Sequence, residues 1–271
     1  MTVKTVLNIS CYKFITLDDL TGRQARYLEK AHTLQLKGTI LLSEEGINFF
    51  LAGSANEVRE FVEFLKEDPQ LQDLTPKESW SSTQPFRKML VKIKREIIRM
   101  NHPTIKPENA RAPSVSAHQL RTWLREGKDD EGREVITLDT RNDYEVLDGK
   151  FKDAVEYNIA HFGQFPAKVK ENMDALKGKT IVSYCTGGIR CEKAAIYLRE
   201  IGLEHVYQLE GGILKYFEEV GSEHYEGTCF VFDDRRAVTA SLEPANELGN
   251  ESVGKTAHEL ANEASTETAK K

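Results

Sequence analysis

A chain of 271 residues can bury a sizeable core, and its length predicts one or two domains. Its composition, 39% hydrophobic and 30% charged residues, is that of an ordinary soluble protein. No apolar run approaches the ~18 residues that a membrane-spanning helix needs, and the first residues lack the features of a secretory signal. Four cysteines in a chain of this length do not make a disulfide framework. We therefore expect a cytoplasmic protein with reduced thiols.

The net charge of −6 is unevenly distributed. From Ser241 onward the chain carries six Glu and three Lys, which contribute −3 and leave −3 for the rest. A negative total argues only weakly against nucleic-acid binding, because a local basic face can exist on a body of that charge.

The first hundred residues alternate strand and helix patterns. A strand (TVLNISCYKF) and an amphipathic helix precede two apolar strands that are joined by a turn at Glu45 and Gly46. The next helix begins at Ser54, and Glu57 three residues later predicts a capping box. The alternating segment KMLVKIKREIIRM is the predicted closing strand. This βαββαβ order predicts a ferredoxin-like α+β domain over residues 1–100.

The remaining chain is predicted to contain a second domain. Residues 101–112 form part of a proline-rich polar stretch and are a predicted linker. From residue 113 to 238, short apolar strands alternate with helices, the first of which is capped by Ser116 and closed by Gly127. This alternation predicts an α/β domain with a parallel sheet. Residues 239–271 are polar and are predicted to be a disordered tail.

The segment SYCTGGIRCEKAAIYL carries the strongest chemical signal. A buried strand ends at Tyr184, and a helix is predicted to begin near Cys191, so Cys185 lies at the carboxyl end of a parallel strand, where α/β sheets usually bind ligands. The intervening loop can turn its N–H groups inward and, with the helix N-terminus, stabilise an anion. The same field lowers a thiol pKa, and the thiolate is the nucleophile. The predicted site consists of Cys185 and the loop residues Thr186, Gly187, Gly188, Ile189 and Arg190.

The length of this loop indicates which group it holds. Arg190 follows Cys185 by five positions, one fewer than in a phosphate-binding loop, so a smaller group such as a sulfane sulfur on the cysteine fits better. CTGGIR resembles a rhodanese active-site loop, and LDTRNDYEVLDGKF and VYQLEGGI resemble other rhodanese segments, in the family's order. Asp139 and Arg141 are expected to support the loop rather than to catalyse.

Cys191 has two open interpretations. It is either a resolving thiol that attacks an oxidised or persulfidated Cys185, or a thiol that only packs at the start of the helix. Cys11 is expected to pack within the first strand, and spacing alone assigns no chemistry to Cys229.

The resemblance extends beyond the rhodanese core. The ferredoxin-like domain with SEEGINFFLAGS, the extended loop CTGGIRCEKAA and the segment EGTCFVFDDRRAV are together similar to the bacterial tRNA uridine hydroxylase family. That resemblance implies oxygen-dependent 5-hydroxylation of the wobble uridine of tRNA, with Cys185 as the active-site cysteine and molecular oxygen as co-substrate. It also implies tRNA as partner, and a sulfur or electron donor is a further candidate. The sequence shows no metal-ligand spacing and no dinucleotide fingerprint, so we predict no metal or organic cofactor.

Two segments are candidates for contact with tRNA. Strand alternation from Arg87 to Arg99 predicts that Lys92 and Lys94 share one face and Arg95 and Arg99 the other; either these residues bind phosphate, or the lysines protect a solvated edge strand. The aromatics of HFGQFP either stack on an unpaired base or cover a core. The candidate tRNA-binding residues are Arg87, Lys88, Lys92, Lys94 and Arg95.

Two other functions remain open at this point. The cysteine loop also fits a sulfurtransferase that passes sulfane sulfur through a Cys185 persulfide. The rhodanese fold can also serve as a non-catalytic binding module.

Overall fold

The structure is a computed structural model, and it describes residues 5–245. The chain divides into two compact units between Arg99 and Met100. Within residues 5–245, no helix combines the length and the apolar character that crossing a membrane requires.

The first unit is a mixed sheet with helices. Its elements, in chain order, are β1 (Val6–Phe14), α1 (Leu20–Thr33), β2 (Lys37–Ser43), β3 (Gly46–Gly53), α2 (Ala55–Lys66), β4 (Lys77–Ser81) and β5 (Met89–Ile93). The strand order is β4-β1-β3-β2-β5, and neighbours are antiparallel except for the parallel pair β2 and β5. The predicted βαββαβ arrangement is confirmed by β1 to β4.

The closing strand is not the predicted one. β4 pairs with β1, whereas the predicted segment forms β5 on the opposite edge of the sheet. β4 has the sequence KESWS, and only Ser81 in it is buried, so it lacks the apolar alternation by which strands are recognised.

β5 is also shorter than predicted. It ends at Ile93: the N–H of Lys94 still donates to the carbonyl of Leu42 in β2 at 2.8 Å, but side chains bind the backbone that follows. The Ser43 hydroxyl donates to the carbonyl of Arg95 at 2.9 Å, and the Glu45 carboxylate accepts from the N–H of Ile97 at 2.7 Å. The predicted strand alternation that places Arg95 and Arg99 on one face is therefore wrong.

The core of the first unit lies between the sheet and its helices. Leu7 and Phe49 from the sheet belong to the same buried cluster as Val58 and Phe61 from α2, on the helix face that the apolar spacing predicts. Ser54 is the N-cap residue of α2 as predicted, but its hydroxyl makes no capping hydrogen bond, so the predicted capping box is not formed.

The second unit begins with a parallel α/β layer. Its elements are β6 (Ser114–Val115), α3 (Ala117–Glu126), β7 (Val135–Asp139), α4 (Asp143–Val146), β8 (Gly149–Phe151), a 3₁₀ turn (Phe162–Gln164), α5 (Phe165–Glu171), α6 (Met173–Leu176), β9 (Thr180–Tyr184), α7 (Ile189–Glu200), β10 (Val206–Leu209), α8 (Gly212–Val220), β11 (Tyr225–Gly227), β12 (Cys229–Phe230) and β13 (Ala237–Val238).

The main sheet of this unit has the order β6-β10-β9-β7, with all neighbours parallel, as predicted. β9 therefore lies between two strands, and the residue after its carboxyl end lies at the middle of the sheet edge. β8 pairs with β11, and β12 pairs with β13, in separate antiparallel ladders. Ser116 caps α3 by accepting from the N–H of Gln119, and Gly127 ends it in a left-handed conformation, as predicted.

The segment predicted as a linker packs on the second unit. Ile105 is buried, the His102 ring lies edge-on to Tyr197 with centroids 5.0 Å apart, and the hydroxyl of Thr104 donates to Glu200 on α7. Its proline-rich composition is compatible with packing because these contacts do not require regular secondary structure.

The first residues of the predicted tail are also ordered. The N–H of Thr239 donates to the carbonyl of Glu243 at 2.9 Å, and Ala240 and Leu242 pack against the core of the second unit. Their small apolar contribution is enough to fix residues 239–245 in a turn, contrary to the predicted disorder. The rest of the predicted tail, 246–271, lies outside the described residues.

Candidate active site

Cys185 occupies the predicted position at the carboxyl end of β9. It directly follows Tyr184, the last residue of the strand, and its exposed fraction is only 1%. α7 begins at Ile189 rather than near Cys191, so Arg190 belongs to the first helical turn. The loop between strand and helix is therefore shorter than predicted, and the helix N-terminus lies closer to the thiol.

Backbone N–H groups of the loop surround the sulfur. The N–H of Gly188 donates to Cys185 Sγ at 3.1 Å, and the N–H of Arg190 also donates to it. Gly188 is the N-cap of α7 with φ of 103°, a conformation that favours glycine. Such an inward-facing set of donors at a helix N-terminus stabilises an anion.

The balance of interactions favours the thiolate form of Cys185. Burial is the largest influence and raises the thiol pKa, but it is outweighed by a hydrogen bond from Cys191, by the charge of Arg190 and by the two backbone donors. Together they lower the pKa of Cys185 from 9.0 to about 5. At neutral pH the sulfur is consequently a nucleophilic thiolate.

α8 holds the loop from the other side. The N–H of Ile213 donates to the carbonyl of Cys185 at 3.0 Å, and the N–H of Leu214 donates to that of Thr186 at 3.1 Å. Gly212 permits this approach: its φ is 67°, and a Cβ atom there would lie 2.4 Å from the carbonyl oxygen of Cys185. The Gly-Gly turn noted in the sequence thus fixes the backbone of the cysteine loop.

Arg190 is held by Glu145 on α4. Its two terminal nitrogens donate to the two carboxylate oxygens at 2.5 and 2.7 Å, and both side chains are buried. Glu145 also accepts from the N–H of Asn142 at 2.9 Å, which fixes the carboxylate at the start of its own helix. This bidentate pair orients the guanidinium beside the thiolate, while Arg190 Nε is buried and has no hydrogen-bond partner among residues 5–245.

Asp139 and Arg141 lie behind this pair. Their side chains form a fully buried ion pair, with Arg141 Nη2 2.7 Å from Asp139 Oδ2. Arg141 also donates to the carbonyls of Gly149 at 2.6 Å and of Glu145 at 3.4 Å. The ion pair therefore positions the segment that carries Glu145. Among the described hydrogen bonds, neither Asp139 nor Arg141 binds Cys185 directly.

Cys191 lies in the first turn of α7 with its thiol hydrogen-bonded to Cys185 and 3.8 Å from the hydroxyl oxygen of Thr140. Burial, followed by the adjacent Cys185 sulfur, raises the pKa of Cys191 well above its ordinary value. Cys191 is thus a protonated donor to the Cys185 thiolate, and its role as a resolving thiol stays a prediction.

The other two cysteines are buried thiols in the units' cores. Burial raises the pKa of Cys11 to about 11 and that of Cys229 to about 12. Cys11 belongs to the buried cluster around β1, as expected, and Cys229 donates to the carbonyl of Phe230 at 3.6 Å. Neither has the thiolate character that reactive cysteines need.

The segment after β12 borders the cysteine loop. Thr186 donates its hydroxyl to the carbonyl of Phe230 at 3.3 Å, and the Arg190 guanidinium carbon lies 5.8 Å from the centre of the Phe232 ring. Sequence reasoning assigned no role to Phe232 or to Glu145. A signal for Glu145 was present, since it stands three residues after Asn142, the spacing at which a side chain binds the N-cap backbone.

The two segments proposed for tRNA contact differ in exposure. Phe162 and Phe165 of HFGQFP are buried, so the core-covering interpretation is correct and the stacking one is wrong for these rings. The five candidate basic residues are all exposed, on and around the edge strand β5: Arg87, Lys88, Lys92, Lys94 and Arg95. An exposed position at the sheet edge is compatible both with phosphate binding and with protection of a solvated edge strand.

Residues 5–245 contain no group of three or more His, Cys, Asp or Glu side chains that could hold a metal ion. The Cys185 sulfur instead accepts from backbone N–H groups and lies near the charge of Arg190, an environment that suits an anion rather than a cation.

Two family models match the chain, one in each of its units. Residues 6–97 match the family described as UPF0176 acylphosphatase like domain, and residues 116–219 match the rhodanese-like domain. A solution structure of a rhodanese-like domain from Anabaena sp. is 26% identical, with a TM-score of 0.34, and the match covers 43% of this chain and 80% of that one.

Three relatives that match most of the chain share one name. A tRNA uridine(34) hydroxylase of Delftia acidovorans is 63% identical over 88% of this chain and 90% of its own length. Proteins of the same name from Cupriavidus necator and Bordetella petrii are 57% and 56% identical over 89% of this chain, and over 85% and 95% of their own lengths. The chain belongs to the tRNA uridine(34) hydroxylase family.

Proposed function

We propose that the protein hydroxylates uridine 34 of tRNA at C5, with molecular oxygen as co-substrate and Cys185 as the reactive group. One observation carries this proposal: a buried thiolate in an anion-stabilising loop occurs in a chain that is 63% identical to a tRNA uridine(34) hydroxylase over 88% of its length. Because its substrate would be tRNA, the proposed place of action is the cytoplasm.

The stoichiometry of the proposed reaction requires a further partner. Insertion of one atom of O₂ into the C5–H bond leaves the second atom to be reduced to water, which takes two electrons and two protons. We therefore propose a source of two electrons as a partner of the enzyme, such as a pair of thiols that is oxidised to a disulfide, or a reductase.

The chain's own residues supply the environment of this chemistry. The N–H groups of Gly188 and Arg190 stabilise the Cys185 sulfur as an anion. The Glu145 carboxylate binds the Arg190 guanidinium and keeps it in place. Burial of the sulfur keeps bulk water away and strengthens each of these interactions. The Cys191 thiol beside it donates a hydrogen bond to the sulfur and keeps its own proton, because burial and the adjacent sulfur raise the pKa of Cys191 well above its ordinary value.

Nucleoside analysis tests the proposal. We would compare total tRNA from cells that lack this gene, complemented with wild type or with Cys185→Ser. We expect 5-hydroxyuridine and its derivatives to return with wild type only. Their return with both would remove Cys185 from the chemistry, and their return with neither would refute the hydroxylase assignment.

A sulfurtransferase is the second candidate. The six-residue loop with its inward N–H groups suits a sulfane sulfur bound to Cys185, and residues 116–219 match the rhodanese-like domain. Intact-protein mass after incubation with thiosulfate separates the candidates: a persulfide on Cys185 that is passed to an acceptor thiol supports this activity, and an unchanged mass contradicts it. A binding module without catalysis would give neither sulfur transfer nor hydroxylation.

A further inference from the structure

Phe232 is an exposed aromatic side chain at the rim of the cysteine loop. Its exposed fraction is 36%, which places it among the few large apolar side chains exposed within residues 5–245. The ring centre lies 5.8 Å from the guanidinium carbon of Arg190, whose own N–H donates to Cys185 Sγ. The same residue therefore contacts both the reactive sulfur and the exposed ring.

The ring is held in place from below. Phe230 packs against it edge-to-face, with centroids 5.2 Å apart and planes at 82°, and Tyr144 packs against Phe230 in the same manner at 5.4 Å. Thr186 ties this segment to the cysteine loop through the carbonyl of Phe230. A fixed aromatic ring loses little conformational freedom when a second flat group stacks on it.

The charges around this ring favour recognition of a base rather than of phosphate. Arg235 pairs with Asp233 at 2.6 Å, and Arg236 pairs with Asp148 at 3.2 Å. Arg190 is already bound by Glu145. A surface whose cations are so compensated offers little to an isolated phosphate, whereas an aromatic ring can stack on an unpaired base because every base has a flat π-face.

We propose that Phe232 stacks on the uracil base of the target nucleotide and holds it at the rim of the Cys185 loop. This inference rests on the proposed function, since it names the group that the same site would receive. The anticodon loop that contains uridine 34 is single-stranded, so the base can leave its neighbours and enter such a site. Recognition by stacking accounts for an apolar ring at the rim of a site whose substrate is a polynucleotide.

Four substitutions at Phe232 test the role of the ring. Stacking of one base contributes enough that Phe232→Ala should lower kcat/KM for an anticodon stem-loop by roughly 10- to 100-fold. Phe232→Leu is the matched control, because it keeps an apolar side chain but cannot stack, and we expect a similar loss. Phe232→Tyr and Phe232→Trp should stay within about threefold of wild type.

Two further readouts separate stacking from a structural role. The pH dependence of Cys185 alkylation should be the same in all four variants as in wild type. The melting temperature should fall by only roughly 1–6 °C in Phe232→Ala and Phe232→Leu, which lose the ring contact with Phe230, and should stay near the wild-type value in Phe232→Tyr and Phe232→Trp. A shifted alkylation profile in Phe232→Ala would mean that the ring acts through Arg190, and full activity of Phe232→Leu would mean that it acts by apolarity alone. Either result overturns the proposal.

A binding measurement makes the test independent of hydroxylation. A stem-loop with pyrrolocytidine at position 34, a fluorescent pyrimidine that is quenched by stacking, should be quenched by wild type and by Cys185→Ser but not by Phe232→Ala. If wild type quenches the probe yet forms no 5-hydroxyuridine, the proposed function fails while the stacking site stands. Equal quenching by Phe232→Ala would refute the stacking site alone.

Discussion

Replacement of Glu145 by Gln should lower the stability of the second unit and, at the same time, lower the pKa of Cys185 further. Glu145 binds Arg190 through two hydrogen bonds of 2.5 and 2.7 Å, and both side chains are buried. Removal of one partner of a buried ion pair costs about 3–5 kcal/mol, because the other charge is left uncompensated. At roughly 2–4 °C per kcal/mol for a domain of this size, the melting temperature should fall by roughly 6–20 °C.

The pKa of Cys185 should fall in Glu145→Gln, whereas a general loss of structure around the loop would raise it. Without Glu145, the full charge of Arg190 acts on the Cys185 sulfur, so the thiol pKa should fall below the wild-type value of about 5. The assays are thermal unfolding followed by circular dichroism and the pH dependence of iodoacetamide alkylation, measured by intact mass. An unchanged melting temperature, or a Cys185 pKa that rises, would show that Glu145 does not hold the Arg190 charge in this way.

Glu156→Gln provides the matched control. Glu156 pairs with Lys150 at 2.9 Å in the same unit, but the two side chains are 29% and 37% exposed. Exposed pairs contribute about 0–1 kcal/mol, so this variant should unfold close to the wild-type temperature.

Three further predictions follow from the loop and the basic segment. The folded-state pKa of Cys185, about 5, lies below its ordinary 9.0, so the thiolate's contribution to stability is complete above pH 9 and is lost as the pH falls toward 5. As the pH rises from 5 to 9, the unfolding free energy of wild type should therefore increase relative to that of Cys185→Ser by about 1.4 kcal/mol per pH unit. Gly212→Ala should destabilise the protein by more than the ~1–2 kcal/mol of its left-handed conformation, and raise the pKa of Cys185, because the new Cβ atom displaces the loop carbonyl. Reversal to Glu of Arg87, Lys92 and Lys94 together should weaken tRNA binding and reduce the slope of log affinity against log salt by about 2–3.

Each of these three predictions has its own control variant or contradicting result. Equal stability differences between wild type and Cys185→Ser at pH 5 and pH 9 would mean that the thiol is not a thiolate. Gly211 has a similar φ of 69°, but a Cβ atom there would lie 2.6 Å from the Cβ atom of Lys215 on α8 rather than against the loop carbonyl, so Gly211→Ala should destabilise the protein yet leave the alkylation profile unchanged. The same triple charge reversal at Lys168, Lys170 and Lys177 should keep the salt slope; an unchanged slope in the basic-segment variant would exclude that segment from tRNA binding.

The cysteine loop could be predicted because its determinants are local. A strand that ends at Tyr184, glycines that permit a tight turn and an arginine at the helix start lie within a few residues of each other, so their geometry follows from short-range rules. Glu145 could not be given its role in this way, because its partner Arg190 is 45 residues away in the sequence. Only the packing of α4 against the loop brings the two together.

The same distinction explains the error in the first unit. The apolar alternation of β5 correctly indicates a strand, but it does not say which edge of the sheet the strand joins. β4 has a polar sequence and becomes a strand through pairing with β1, which is a tertiary effect. Exposure is also tertiary: Phe162 and Phe232 both stand in apolar segments, yet one is buried and the other lies at the rim of the site.

Incorporation of oxygen-18 is the most direct test of the central claim, that this chain uses Cys185 and O₂ to hydroxylate uridine 34. Purified protein, an anticodon stem-loop and a reductant would be incubated under oxygen-18 gas, and the nucleosides would be analysed by mass spectrometry. Wild type should give 5-hydroxyuridine with one heavy oxygen atom, and Cys185→Ser should give no product. Product whose new oxygen comes from water, or equal product from Cys185→Ser, would contradict the claim.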